Sequence, residues 1–142
     1  MSFPERRYAD IPVGEKASVS KTVTDEVVRR FAEVTEDYNP VHVDAEFAAR
    51  SLFKERIAHG MLGAGLISAV LGTRLPGPNT IYLGQELKFL APVKLGDTIT
   101  AEVEVVEKID KPKMLKLKTV VRNQSGTVVI DGFATVKKWE PA

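Results

Sequence analysis

One segment limits the possible folds of this chain more than any other. GMLGAGLISAVLG, residues 60–72, carries apolar or small side chains on nearly every side. A helix with that pattern has no face to offer water and must be buried. It covers about half a bilayer, too little to cross one. Gly63, Ala64, Gly65 and Ala69 leave room for a neighbouring layer to come close.

What covers such a helix is written in the second half. TIYLGQELKFLAPV, TITAEVEVVEKI, MLKLKTVVR and TVVIDGFATVKKW read as strands. In the second, Ile99, Ala101, Val103 and Val105 alternate with Thr100, Glu102 and Glu104. In the third, Leu115, Leu117, Thr119 and Val121 oppose Lys116, Lys118 and Arg122. In the last, Val128, Ile130, Ala134 and Val136 share a face. PGPN, DKPK and NQSG punctuate the run. The economical arrangement is α+β: a curved antiparallel sheet wrapped around the helix 61–72, a hot-dog-like architecture. Its open edge strands favour edge pairing in a homodimer.

The first half is mixed. ASVSKTV is a weak strand. Thr24 suits a helix N-cap, with Asp25 and Glu26 in the first turn. Val27, Phe31 and Val34 give that helix one apolar face, and it must stop by Asn39, the residue before a proline. DAEFAARS reads as a second short helix. No repeat or linker divides the chain, so residues 1–142 form one expected domain, with the polar ends 1–8 and 138–142 loosely held.

Charge and composition exclude several functions. Twenty basic and nineteen acidic residues leave a net charge of +1, which argues against a nucleic-acid partner. The absence of cysteine excludes disulfides, thiolate zinc sites and a cysteine nucleophile. MSFPERRYAD lacks a signal-peptide core. A soluble, cytoplasmic protein with no membrane segment is expected.

The chemically suggestive stretch is TEDYNPVH, Thr35–His42. Asp37 alone reads as a solvated acid past a helix end, and His42 alone as a hydrogen-bonded structural histidine. Together they gain meaning from what lies between. Pro40 ends the helix and stiffens the turn, and Asn39 can bond its own backbone. Such a bend can aim Asp37 and His42 at one water, as an acid–base pair requires. Gly60, in IAHGML, either permits a tight turn or offers a helix N-terminal N–H to a developing oxyanion.

Other patterns are weaker. Gly63-Ala-Gly65 lacks the third glycine and leading strand of a dinucleotide loop. His42, Asp44 and His59 have no metal-binding spacing. Ser68 lacks a nucleophile elbow. KIDKPKMLKLK reads as a solvated hairpin, and Phe89, Phe133 and Trp139 as packing groups.

EDYNPVHVDAEFAA, IAHGML, YLGQELKFLAPVKLGD and the closing strand together resemble the MaoC-like, (R)-specific enoyl-CoA hydratases, from about Ser18 to Lys137. The acid-x-N-P-x-H core with HGM some seventeen residues on is the specific part. The resemblance implies a hot-dog homodimer acting on an acyl-CoA thioester without cofactor or metal. It implies Asp37 and His42 as catalytic pair, Gly60 as thioester-carbonyl donor, Asn39 as loop support and Ser68 beside the pair. GAG at 63–65 departs from bulkier residues in close relatives, so no acyl chain length is carried over. Lys54, Arg56, Arg74, Lys88 and Lys94 are candidates for the CoA phosphates. Polyhydroxyalkanoate precursor supply and fatty-acid metabolism both suit such an enzyme. The rival functions are a 3-hydroxyacyl carrier-protein dehydratase, a thioesterase and a non-catalytic acyl-CoA-binding subunit.

Overall fold

The computed structural model describes residues 2–141. Five strands form one antiparallel sheet: β1 (Lys16–Thr22), β2 (Thr80–Phe89), β3 (Thr98–Ile109), β4 (Met114–Arg122) and β5 (Val128–Lys138), in the order β1-β3-β4-β5-β2. Between β1 and β2 come the helices α1 (Asp25–Thr35), α2 (Pro40–Val43), α3 (Ala45–Ala49) and α4 (Gly60–Thr73). The sheet curves around α4. Leu62, Ile67, Val70 and Leu71 of α4 share one core with Ile99, Ala101, Val103 and Val105 of β3, Leu115, Leu117 and Val121 of β4, and Ala134 and Val136 of β5. This is the hot-dog fold that the alternation predicts.

Several local expectations change. Val34 lies 84% exposed, while Val28 and Ala32 are fully buried. α1 meets the core along that i, i+4 row, which turns the last-turn Val34 to solvent. In β5, Val129 is buried and Val128 only partly so. The register passes from Val121↔Ile130 to Arg122↔Val128, so Val129 is an extra residue in a bulge. Two residues of the ends expected to be loose are instead held in place. Tyr8 and Lys138 are buried. The Tyr8 hydroxyl donates to Asp110 at 2.9 Å, and the Lys138 ammonium donates to the Pro76 carbonyl at 3.2 Å.

α4 is not covered on every side. Met61, Gly65, Ser68 and Gly72 form an exposed stripe at helical spacing. Of the small residues expected to admit the sheet, Gly63 does so: a Cβ there would stand 2.7 Å from Ile130 Cδ1, whereas one at Gly65 would meet nothing within 4 Å. A tighter approach occurs at Gly132, where a Cβ would lie 1.8 Å from the Glu86 carbonyl oxygen. The edge strand β2 exposes Ile81, Tyr82, Leu83 and Phe89. Among the described residues, no helix is long and apolar enough to cross a membrane.

Candidate active site

The segment after α1 is built from short-range caps. Glu36 ends the helix in the left-handed region, at φ 62°. The Asp37 N–H donates to Thr35 Oγ1 at 3.3 Å, and the Asp37 carboxylate accepts from the Asn39 N–H at 3.2 Å. The Asn39 side chain accepts from the Val41 N–H at 3.2 Å and caps α2, with Pro40 in its first turn. A missing N–H is harmless there, and the fixed φ suits a helix start. Pro40 therefore opens a short helix rather than ending a long one, because α1 has already stopped at Thr35.

That single turn carries His42 inward to 8% exposure, while Asp37 stays exposed. His42 Nδ1 lies 2.7 Å from the Ile57 carbonyl. A carbonyl only accepts, so Nδ1 bears the proton and Nε2 keeps its lone pair. Burial lowers the His42 pKa against the opposing pull of the Ile57 hydrogen bond and the Asp37 charge. The neutral ring is thus favoured. Arg56 braces the same turn: its Nε donates to the His42 carbonyl at 2.6 Å, and its guanidinium pairs with Asp25 at 2.7 Å.

Side-chain atoms of Asp37, His42 and His59 all come within 4.8 Å of one another. Asp44 is not in this cluster; it caps α3 by accepting from the Phe47 N–H at 3.1 Å. The His42 and His59 rings lie face against face with centroids 3.9 Å apart, their planes tilted by 30°.

Gly60 begins α4 and is exposed. The N–H of a first helical residue has no intrahelical partner and sits at the positive end of the helix dipole. Gly60 does not have a positive φ, so a turn does not require it; a Cβ there would stand 2.7 Å from the Phe89 ring. Glycine lets Phe89 lie against the helix start.

Two cavities flank the pair. His42 and Gly60 line one of about 530 Å³, with Phe53, Phe89 and Ile130 among its apolar walls. Asp37 and Ser68 line another of about 700 Å³, with Tyr82 and Gln85. Met61 borders both. Sequence reading missed Tyr82 and Gln85, because they look like ordinary strand residues. A register shift between Tyr82 and Gly84 alters the strand's phase there. Gln85 Nε2 donates to Thr119 Oγ1 at 2.9 Å, and the Tyr82 hydroxyl donates to Gln85.

The family model of the MaoC like domain matches residues 11–127, which include Asp37, His42, Gly60 and both cavities' helix. The chain belongs to the MaoC-like family. It is similar to the (R)-specific enoyl-CoA hydratase of Rhodospirillum rubrum, at 50% identity over 129 residues, 91% of this chain and 89% of that protein. It is 46% identical over 138 residues to the 3-hydroxybutyryl-CoA dehydratase of Methylorubrum extorquens, covering 95% and 87%. Among solved structures, the unliganded R-hydratase PhaJ1 from Pseudomonas aeruginosa superposes with a TM-score of 0.89 at 50% identity, covering 94% of this chain and 86% of that one.

Within this MaoC-like chain the cations expected to meet phosphates divide. Arg56 is committed to His42 and Asp25, and Lys94 pairs with Glu55 at 3.4 Å. Lys54, Arg74 and Lys88 are exposed.

Proposed function

We propose that this MaoC-like protein is an (R)-specific enoyl-CoA hydratase, adding water reversibly to trans-2-enoyl-CoA to give (R)-3-hydroxyacyl-CoA. The observation that carries the proposal is the convergence of Asp37 and His42 within 4.8 Å, with His42 lining one cavity together with Gly60 at the exposed N-terminus of α4. The thioester carbonyl, conjugated with the alkene, accepts from the Gly60 N–H. That donor stabilises the enolate-like oxygen by about 3 kcal/mol when well aimed. Water held between the Asp37 carboxylate and the bare Nε2 of His42 bonds to C3, its proton passes to the pair, and the pair delivers a proton to C2. Asn39 holds the loop that presents Asp37, and Ser68 borders the same cavity as Asp37. Every step is proton transfer or addition, so the chemistry calls for no cofactor.

The naming of both quoted relatives for CoA thioesters favours CoA over an acyl carrier protein as the carrier. The apolar edge of β2 supports a homodimer, since an unpaired strand of that kind is a template for a second copy.

The test is purified protein with crotonyl-CoA, following loss of the enoyl-thioester absorbance and resolving the product. The (R)-3-hydroxy product without free thiol is expected. Release of free thiol would make the protein a thioesterase. Turnover confined to carrier-protein thioesters would make it a carrier-protein dehydratase, and binding without turnover a non-catalytic subunit.

A further inference from the structure

The mechanism above uses His42 and leaves His59 idle, yet His59 is the more buried of the two, at 3% exposure. Its surroundings are specific. Nε2 lies 2.9 Å from the main-chain oxygen of Asp37, and because that oxygen only accepts, Nε2 carries the proton. Nδ1 is buried without a hydrogen-bond partner. One ring face lies against His42 at 3.9 Å between centroids, and Phe31 is 4.8 Å away. His59 is also the N-cap residue of α4, next to Gly60.

The Asp37 loop needs such a partner. Within residues 36–39 the hydrogen bonds run to neighbours between Thr35 and His42. Among the described residues, the bond from His59 is the one that ties this loop to a distant part of the chain. We propose that His59 is a positioning residue of the hydration site, fixing the Asp37 loop against the His42 ring through its hydrogen bond and its stacked face. This rests on the hydratase reading above.

The test uses full-length wild type, His59→Phe, which keeps a stacking ring and loses the donor, and His59→Gln, whose amide reaches the Nε2 position. Turnover and KM on crotonyl-CoA are measured beside thermal unfolding. Misplacement of a reacting group by about 1 Å costs about 100-fold, so His59→Phe should lower kcat about 10- to 100-fold with KM within about threefold. His59→Gln should recover most of that loss. The chain has two histidines, so the ¹⁵N imidazole spectrum of His59→Gln assigns His42 directly. The wild-type spectrum should show an Nδ1–H tautomer for His42 and Nε2–H for His59. Wild-type kcat in His59→Phe, equal loss in His59→Gln, or an Nδ1–H tautomer at His59 would each overturn the inference. If His59→Phe does not fold, the tautomer decides. Absence of wild-type turnover would instead overturn the hydratase reading, and this inference with it.

Discussion

The Ile57 carbonyl holds Nδ1 of His42 at 2.7 Å, and the Ile57 N–H donates back to the Val41 carbonyl at 3.3 Å. Ile57 thus grips the 41–42 turn through both of its main-chain groups, and the bond at Nδ1 leaves Nε2 of His42 as the basic nitrogen. Burial lowers the pKa of that ring, so the neutral base persists below the ordinary imidazole value of about 6.5. The acid limb of kcat/KM should therefore fall below that value. Stability follows the same sign. The unfolded chain takes up the His42 proton before the native chain does, so this contribution is present above the ordinary value and is lost as pH falls through it. Urea unfolding across that range, with His42→Gln as control, measures the slope.

Asp37 is exposed, and its carboxylate accepts from Asn39. Asp37→Asn keeps an oxygen for that bond and removes the base. Turnover should drop by about two to four orders of magnitude with the melting temperature nearly unchanged. Near wild-type turnover would show that Asp37 is not the base.

The two glycines of GAG should behave oppositely. Gly63→Ala drives a Cβ toward Ile130 Cδ1 at 2.7 Å, and overpacking of this kind costs about 1–3 kcal/mol. Gly65→Ala meets open space and should stabilise α4 by about 0.5–1 kcal/mol through helix propensity. Chemical denaturation measures both. Because Gly65 lines the cavity of Asp37 and Ser68, Gly65→Leu should shift turnover toward shorter enoyl chains, read from a chain-length series.

Arg56 donates to the main chain of His42. Arg56→Met keeps much of the stem and loses the donor. A hydrogen bond from a charged group contributes about 1.5–3 kcal/mol, so a loss of that size in unfolding free energy is expected, with kcat falling as α2 loosens. Unchanged stability would assign Arg56 to solvent.

Leu83 is 52% exposed on the β2 edge. Light scattering should give twice the 15.6 kDa chain mass for the wild type and a shift toward one chain for Leu83→Asp. A monomeric wild type would sink the edge-pairing proposal.

The sheet was legible because period-two alternation survives burial on one face, as in Ile99, Ala101, Val103 and Val105. α4 was legible because it has no polar face. Val34 and Val128 misled because an apolar residue satisfies a periodic pattern even where a turn or a bulge aims it elsewhere. Asp37 and His42 stand out in the sequence motif, but their approach to one another depends on α2, a helix too short to show periodicity. His59 stayed hidden for another reason. Its role lies in a bond to a main-chain oxygen twenty-two residues away, and backbone acceptors leave no trace in residue identity.

Both imidazoles at the site are oriented by carbonyls of the main chain, Ile57 for His42 and Asp37 for His59. No side chain of either cavity wall supplies those acceptors. The walls can therefore be exchanged, one residue after another, while the proton arrangement stays put. Chemistry and selectivity are separable in this fold, so a library varying Phe53, Gly65, Tyr82 and Phe89 can search for new acyl groups from a background that already reacts.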